Sequence, residues 1–280
     1  MKILFIGCGD IAQRTAPLLC DQYQCFGLKR NPEGLPSNII PLSGDVTNQN
    51  QVQAVLAQGF DILVATLTPD EFTEQAYRNA YLETAMSINQ ALCALERQPQ
   101  LVIWVSSTSV YGDAHGDWVD EDSATQPETF SGRILLAAEE IIQQLPCAKT
   151  VIRFSGIYGP GRIRMLSQVR EGKGRPSQPE LWSNRIHSED CAGVIAHMIK
   201  LNEQNKILQP VYVASDCEPV TQHDIRGWLA SLIGVELKEE SVKSGPTRRC
   251  NNRSLLESGY QFSYPTYREG YLSLLASEQE

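Results

Sequence analysis

The chain has 280 residues, with 24 Lys+Arg against 33 Asp+Glu and a formal net charge of −9, so at roughly 100–200 residues per domain it allows one large domain or two modest ones. Hydrophobic residues at 42% and charged residues at 20% place it with ordinary globular proteins and exclude a disordered, collagen-like or disulfide-dense chain. The acidic balance opposes phosphate backbones and anionic lipid, so nucleic acid and membrane are not expected partners, and the one short basic candidate, Arg248-Arg249 followed by Arg253, is a weak footprint. The eight cysteines are scattered, with no CxxC pair and no zinc-like cluster, and read as reduced thiols; no metal site is expected. Met1–Ile6 is too short for a signal-peptide core and no 18-residue apolar run follows, which makes a cytoplasmic location the expectation.

Ile3–Ile6 is a continuous apolar run ended by Gly7, the pattern of a parallel strand buried on both faces, and a helix is expected from Asp10 to Leu19. Strands are then predicted at Cys25–Lys29, Ile39–Leu42 and Asp61–Ala65, with a helical stretch at Gln49–Ala57. Asp70–Glu96 carries apolar residues at helical spacing and predicts a long helix, followed by a fifth strand at Leu101–Val105. Ile134–Gln144 predicts a helix, Thr150–Phe154 a sixth strand, Asp190–Leu201 a helix and Val211–Ala214 a seventh strand. Strands alternating with helices in this way imply an α/β fold, a doubly wound parallel Rossmann sheet of about seven strands whose ligands lie beyond the carboxyl ends of the strands. On this reading 1–157 plus about 186–215 form the dinucleotide-binding domain, while about 158–185 and 216–280, rich in Gly, Pro and polar residues, form a smaller C-terminal substrate lobe.

Gly7-Cys8-Gly9-Asp10-Ile11-Ala12 is GxGxxA between a strand and a helix. There the glycines admit a pyrophosphate to the backbone, and the helix N-terminus supplies N–H groups and positive dipole. At the end of the second strand an NAD site offers a carboxylate to the ribose, whereas this sequence reads Lys29-Arg30-Asn31. Arg30 is suited to fork onto a 2′-phosphate, so NADP(H) is expected in preference to NAD(H). Asp45 and Val46 after the third strand, and Thr66, Leu67 and Thr68 after the fourth, lie on the same ligand-facing rim; turn chemistry for Asp45 and helix capping for Thr68 are the structural alternatives.

Four segments in order resemble the extended short-chain dehydrogenase/reductase group, which contains the NAD-dependent sugar-nucleotide epimerases and dehydratases. They are Gly7–Ala12, Val105–Gly112 (VSSTSVYG), Val151–Arg162 (VIRFSGIYGPGR) and Asn184–Ala192 (NRIHSEDCA). The glycine turn departs from the group's usual GxxGxxG by one residue. The resemblance implies a hydroxyl at Ser107 that orients substrate, with Ser106 beside it at the cofactor. It also implies a Tyr-x-x-x-Lys pair at the start of the helix containing Ala137-Ala138-Glu139, where this chain has Ser131 in place of Tyr and Leu135 in place of Lys. No tyrosine in the chain is followed four positions later by lysine, and no lysine occurs between Lys29 and Lys149. Arg133 is no replacement, since it lies about 200° around a helix from Ser131 and does not deprotonate. The resemblance is therefore to the atypical branch of the superfamily.

Tyr111 and His115 are the remaining acid/base candidates near Ser107 in sequence, with packing and a solvated loop position as their alternatives. Arg153, Arg162, Arg164 and Arg185 border the substrate lobe in the resembled group and either read an anionic, nucleotide-linked substrate or pair with the abundant carboxylates. Tyr260, Tyr264, Tyr267 and Tyr271 either stack on a ligand or pack a core. Two functions follow as expectations. One is a redox enzyme acting on a small carbonyl or nucleotide-linked substrate without the usual dyad; the other is a non-catalytic cofactor-binding or redox-sensing module for a protein partner. A homodimer through the long helices is the group's habit, with core packing as the alternative account of their apolar faces.

Overall fold

The structure is a computed structural model and describes residues 1–240 and 246–278, so residues 241–245 and 279–280 of the expected smaller lobe lie outside it. Its centre is a seven-stranded sheet made of β1 (Lys2–Ile6), β2 (Gln24–Lys29), β3 (Ile39–Ser43), β4 (Ile62–Ala65), β5 (Leu101–Ser107), β6 (Lys149–Phe154) and β7 (Val211–Ala214). The strand order is β7-β6-β5-β4-β1-β2-β3, and β1 pairs in parallel with both β2 and β4, Ile3 lying opposite Cys25 and Ile62. The sheet order reverses between β1 and β4, which is where such sheets bind ligands.

The central strands β1, β4 and β5 are apolar along most of their length because both faces are covered, whereas Ile40 and Pro41 of the edge strand β3 are exposed. Leu4 and Ile6 join Leu28, Leu63, Val102 and Trp104 in a core packed on Val52, Ala85, Ile88, Leu92 and Ile142 from the flanking helices. Ile3 and Phe5, pointing the other way, are equally buried.

Helix α1 (Asp10–Thr15) is shorter than its apolar pattern predicts and passes into a 3₁₀ turn at Ala16–Leu18, where Pro17 supplies no N–H to an α-helical ladder. Helix α2 spans Gln49–Leu56, capped by Asn48, whose side chain accepts from Gln51 N. The long helix, α3, runs through Glu74–Tyr77, a π-helical segment Arg78–Glu83 and Thr84–Cys93. It starts four residues after the predicted Asp70 because Thr73 is its cap, accepting from Ala76 N. Helix α4 (Phe130–Ile142), by contrast, begins earlier than Ile134, capped by Thr129 through Gly132 N at 3.1 Å.

The chain divides into two compact units, the first comprising 1–110, 127–153 and 191–212, and the second 111–126, 154–190 and 213–280. In the first unit helix α6 (Ser188–Glu203) contributes its residues from Cys191 onward. The second unit has its own core: Met165, Leu166 and Val169 of α5 (Arg164–Arg170) pack with Ile225 and Leu229 of α7 (Gln222–Ile233). Tyr267, Tyr271 and Leu274 of a last helix, Tyr267–Ser277, complete it. Tyr260, Tyr267 and Tyr271 are thus buried packing residues, while Tyr264 lies against the His187 ring at 3.9 Å between centroids. None of the described helices is long and apolar enough to cross a membrane.

Candidate active site

The carboxyl ends of β1–β4 open into a cavity of about 970 Å³. Gly7, Cys8, Gly9, Arg30, Asp45, Val46, Thr66, Leu67 and Thr68, all named from sequence, line it together. Asp10 and Ile11 do not: Asp10 pairs with Arg14 at 2.7 Å, and Ile11 is buried.

Gly7 sits at φ +75°, and a Cβ there would meet Leu67 Cδ2 at 2.9 Å and Thr66 O at 3.2 Å, so glycine alone fits this turn. Thr66 is committed to holding that turn, its hydroxyl donating to Gly7 O at 2.9 Å. At Gly9 the nearest atom to an added Cβ is Gly7 O at 3.9 Å, so that flank of the turn is open. The N–H groups of α1 beyond it take no side-chain cap. An open glycine flank beside uncapped helix N–H groups fits a pyrophosphate, and thus fits a dinucleotide.

Cys8 is fully buried against Gly27, where a Cβ would meet its Sγ at 2.8 Å, and burial pushes its thiol up to about 11, so it fills the turn and is no reactive thiolate. Asp45 Oδ1 accepts from Thr47 N at 2.9 Å and Thr47 Oγ1 at 2.8 Å, bonds that hold its carboxyl below the usual range and leave it ionised at the rim. Arg30 reaches Asp70, with Nη2 at 2.7 and 2.8 Å from the two carboxylate oxygens. Asp70 was read as the start of a helix; it is instead a cavity-lining residue ahead of the Thr73 cap. The cavity's outer wall, Gln75, Ala76, Asn79 and Ala80, comes from α3 and its π segment, which the helical periodicity did not reveal as ligand-facing.

At the end of β5 the arrangement differs. Ser107 is part-exposed, and its Oγ accepts from Ser109 N at 3.2 Å. Gly132 of α4 packs so closely on Ser109 O that a Cβ would overlap it, which brings the start of α4 against the end of β5. Ser131 and Leu135, which the resemblance sets where a Tyr and a Lys are expected, are buried, at 6% and 3% exposure, and Ser131 Oγ lies 3.1 Å from Thr129 Oγ1.

One turn further along the same face Glu139 accepts from Ser106 Oγ at 2.5 Å and from Arg153, whose Nη2 lies 2.7 Å from Oε2. Ser106, expected at the cofactor, therefore serves this buried network, and Arg153, one of the candidate anion readers, is held by Glu139 as an ion pair. In sequence Glu139 is marked only as part of the resembled helix segment, with no role of its own.

In the second unit Tyr111 is buried and donates to Asp120 O at 2.6 Å. His115 lies at φ +52° with its side chain 88% exposed and Nδ1 3.1 Å from Asp113 Oδ2. Arg185 Nε donates to Ser183 Oγ at 2.8 Å. Arg162 is exposed, and Arg164 is the first residue of α5.

Fold and cavity together define a dinucleotide-binding Rossmann protein. The sequence profile of the NAD dependent epimerase/dehydratase family matches residues 10–213, and the chain belongs to that family. It is similar to Protein YeeZ of Escherichia coli K12, at 28% identity over 94% of this chain and 96% of that protein. It is also similar to Epimerase family protein SDR39U1 of Bos taurus, at 26% identity over 66% of this chain and 68% of that protein. A solved structure from Methylobacillus flagellatus, whose description places it with the NAD-dependent epimerases/dehydratases, superposes with TM-score 0.84 at 33% identity, covering 100% of this chain and 99% of that one. UDP-glucuronic acid 4-epimerase of Bacillus cereus, solved with UDP-glucuronic acid and NAD, shares the fold at TM-score 0.81 and 19% identity, over 96% of each chain. Membership of the family carries nicotinamide dinucleotide binding with it.

Proposed function

We propose that the chain binds NADP(H) in preference to NAD(H) and acts as an oxidoreductase on a small carbonyl or nucleotide-linked substrate. The observation that carries this reading is the cavity of about 970 Å³ running from the glycine turn to Arg30 and α3, with a guanidinium at the end of β2 where a ribose-binding carboxylate would otherwise stand. When bound, the nicotinamide supplies the hydride. With the dinucleotide bound, the glycine turn and α1 would hold the pyrophosphate, Asp45 would accept from the adenine amino group, and the cavity-lining Val46 and Leu67 would form the apolar walls. Ser107 orients the substrate oxygen from the end of β5. Without a phenol and a lysine on α4, the proton balancing the hydride comes from solvent, so turnover depends on positioning alone.

The second reading, a non-catalytic module that senses the NADP(H) state for a protein partner, is favoured by the burial of Ser131 and Leu135 where the proton relay would sit. Calorimetric titration with NADPH, NADH, NADP⁺ and NAD⁺ tests the first claim, and NADPH is expected to bind at least about tenfold tighter than NADH. Equal affinities would sink the NADP(H) preference. Screening the NADPH complex against carbonyl substrates separates the two functions, since nicotinamide oxidation at 340 nm is expected for an enzyme and absent for a sensor.

A further inference from the structure

We propose that Asp70 occupies the 2′-phosphate subsite of the cofactor cavity and sets the discrimination between NADP(H) and NAD(H); this rests on the cavity being the dinucleotide site. Arg30 Nη2 lies 2.7 and 2.8 Å from the two carboxylate oxygens of Asp70, so the guanidinium edge that a phosphate monoester would use is already taken by an anion. Both side chains line the cavity and both are exposed, at 66% and 68%, so the pair is weak and a ligand can exchange into it. The segment carrying Asp70 follows β4, ahead of the Thr73 cap, so no helix geometry fixes the carboxylate there.

The charges around it point the same way. The cavity lining holds Lys29 and Arg30 against Glu33, Asp45, Asp70 and Glu71. An incoming 2′-phosphate thus enters a field that is acidic on balance, and its favourable contact is the guanidinium that Asp70 already holds. Asp70 acts as a resident competitor: NADP(H) must displace it, whereas NAD(H), lacking the phosphate, leaves the Arg30–Asp70 pair intact. The consequence is an affinity for 2′-phosphorylated ligands held below what Arg30 alone would give.

The test is a thermodynamic cycle over wild type, Asp70→Asn, Arg30→Ala and the double variant, with dissociation constants measured by calorimetry for NADPH and NADH and for 2′,5′-ADP and 5′-ADP. Asp70→Asn is expected to tighten the 2′-phosphorylated ligands about tenfold relative to their partners, and this gain is expected to vanish in the Arg30→Ala background. Glu71→Gln removes the same charge from the same lining without touching Arg30, and a gain equal to that of Asp70→Asn would show a general field effect and overturn the proposal. A loss of NADH affinity in Asp70→Asn would overturn it too, because Asp70 would then be a ribose-hydroxyl acceptor. Equal binding of NADPH and NADH by wild type would dismiss the NADP(H) preference alone, since the Asp70→Asn ratio still reports on the subsite. Binding of neither dinucleotide by wild type or variant would overturn both.

Discussion

The first unit treats the two halves of its ligand-facing rim in opposite ways. Beyond β1–β4 the chain is opened: Gly9 leaves room, α1 presents uncapped N–H groups, and charged side chains stand in a cavity. Beyond β5 it is filled, with Ser131 and Leu135 buried and Glu139 tied to Ser106 and Arg153. The end of β1–β4 is an open cavity, while the face of α4 that bears Ser131, Leu135 and Glu139 is packed. Binding and chemistry are therefore separable in this fold, and each half is open to a different kind of damage.

The sharpest way to break the contrast is in the filled half. Removing one partner of a buried pair leaves an uncompensated charge, so Glu139→Ala is expected to cost about 3–5 kcal/mol in chemical denaturation. Replacing both partners, Glu139→Gln with Arg153→Met, is expected to recover most of that loss. A single-variant cost below about 1 kcal/mol would mean that this half is not held by the pair. The next largest effect lies in the open half. Gly9→Val places a side chain where the nearest protein atom is 3.9 Å away, so folding tolerates it, yet it occupies the pyrophosphate cradle. Dinucleotide affinity is expected to fall about a hundredfold, roughly 2.7 kcal/mol, with little change in Tm in the absence of ligand. Retained affinity would remove the glycine turn from the site.

The open half was the legible one. GxGxxA, Arg30, Asp45 and Thr66–Thr68 each carry their meaning in local chemistry, and parallel strands buried on both faces announce themselves as apolar runs. The filled half is legible in sequence only as an absence, the missing Tyr and Lys, because the contacts that hold it are long-range: Glu139 and Arg153 are 14 residues apart, and Ser106 is 33 from Glu139. Asp70 was read as helix for a related reason. Apolar spacing does not say where a helix starts, and the hydroxyl of Thr73 decided it. The second unit carries little local signal in its sequence. Its helices Arg164–Arg170 and Gln222–Ile233 pack against one another across a wide sequence gap, and its tyrosines are ambiguous until their burial is known.

The same contrast governs how carboxylates are held. Asp45, on the open rim, stays ionised through its bonds to Thr47, whereas Asp216 in the second unit is 1% exposed, and burial pushes its carboxyl up to about 8. Between its ordinary 3.8 and about 8 the folded state holds a proton that the unfolded chain has released, so Asp216 makes stability fall as pH rises through that window. The slope contributed is on the order of 1 kcal/mol per pH unit. Asp216→Asn is expected to flatten the decline in Tm between pH 5 and pH 8. An unchanged profile would mean that Asp216 is ionised when folded.

The smallest effect decides most directly whether the filled half has a hidden substitute. Tyr111 is the one candidate acid beside the Ser107 segment whose hydroxyl is placed, and it donates to Asp120 O at 2.6 Å from a buried ring. Tyr111→Phe should therefore cost about 1 kcal/mol of stability, the net worth of one such bond. The turnover of any substrate found in the screen should be unchanged. His115→Ala should alter neither quantity by more than about 0.5 kcal/mol, because its ring is 88% exposed beside Asp113. A Tyr111→Phe variant that keeps its Tm but loses turnover about a hundredfold would reverse the argument, since general acid catalysis has that magnitude and a packing bond does not. The phenol of Tyr111 would then be the proton donor, and the burial of Ser131 and Leu135 would mark a relocated relay instead of a lost one.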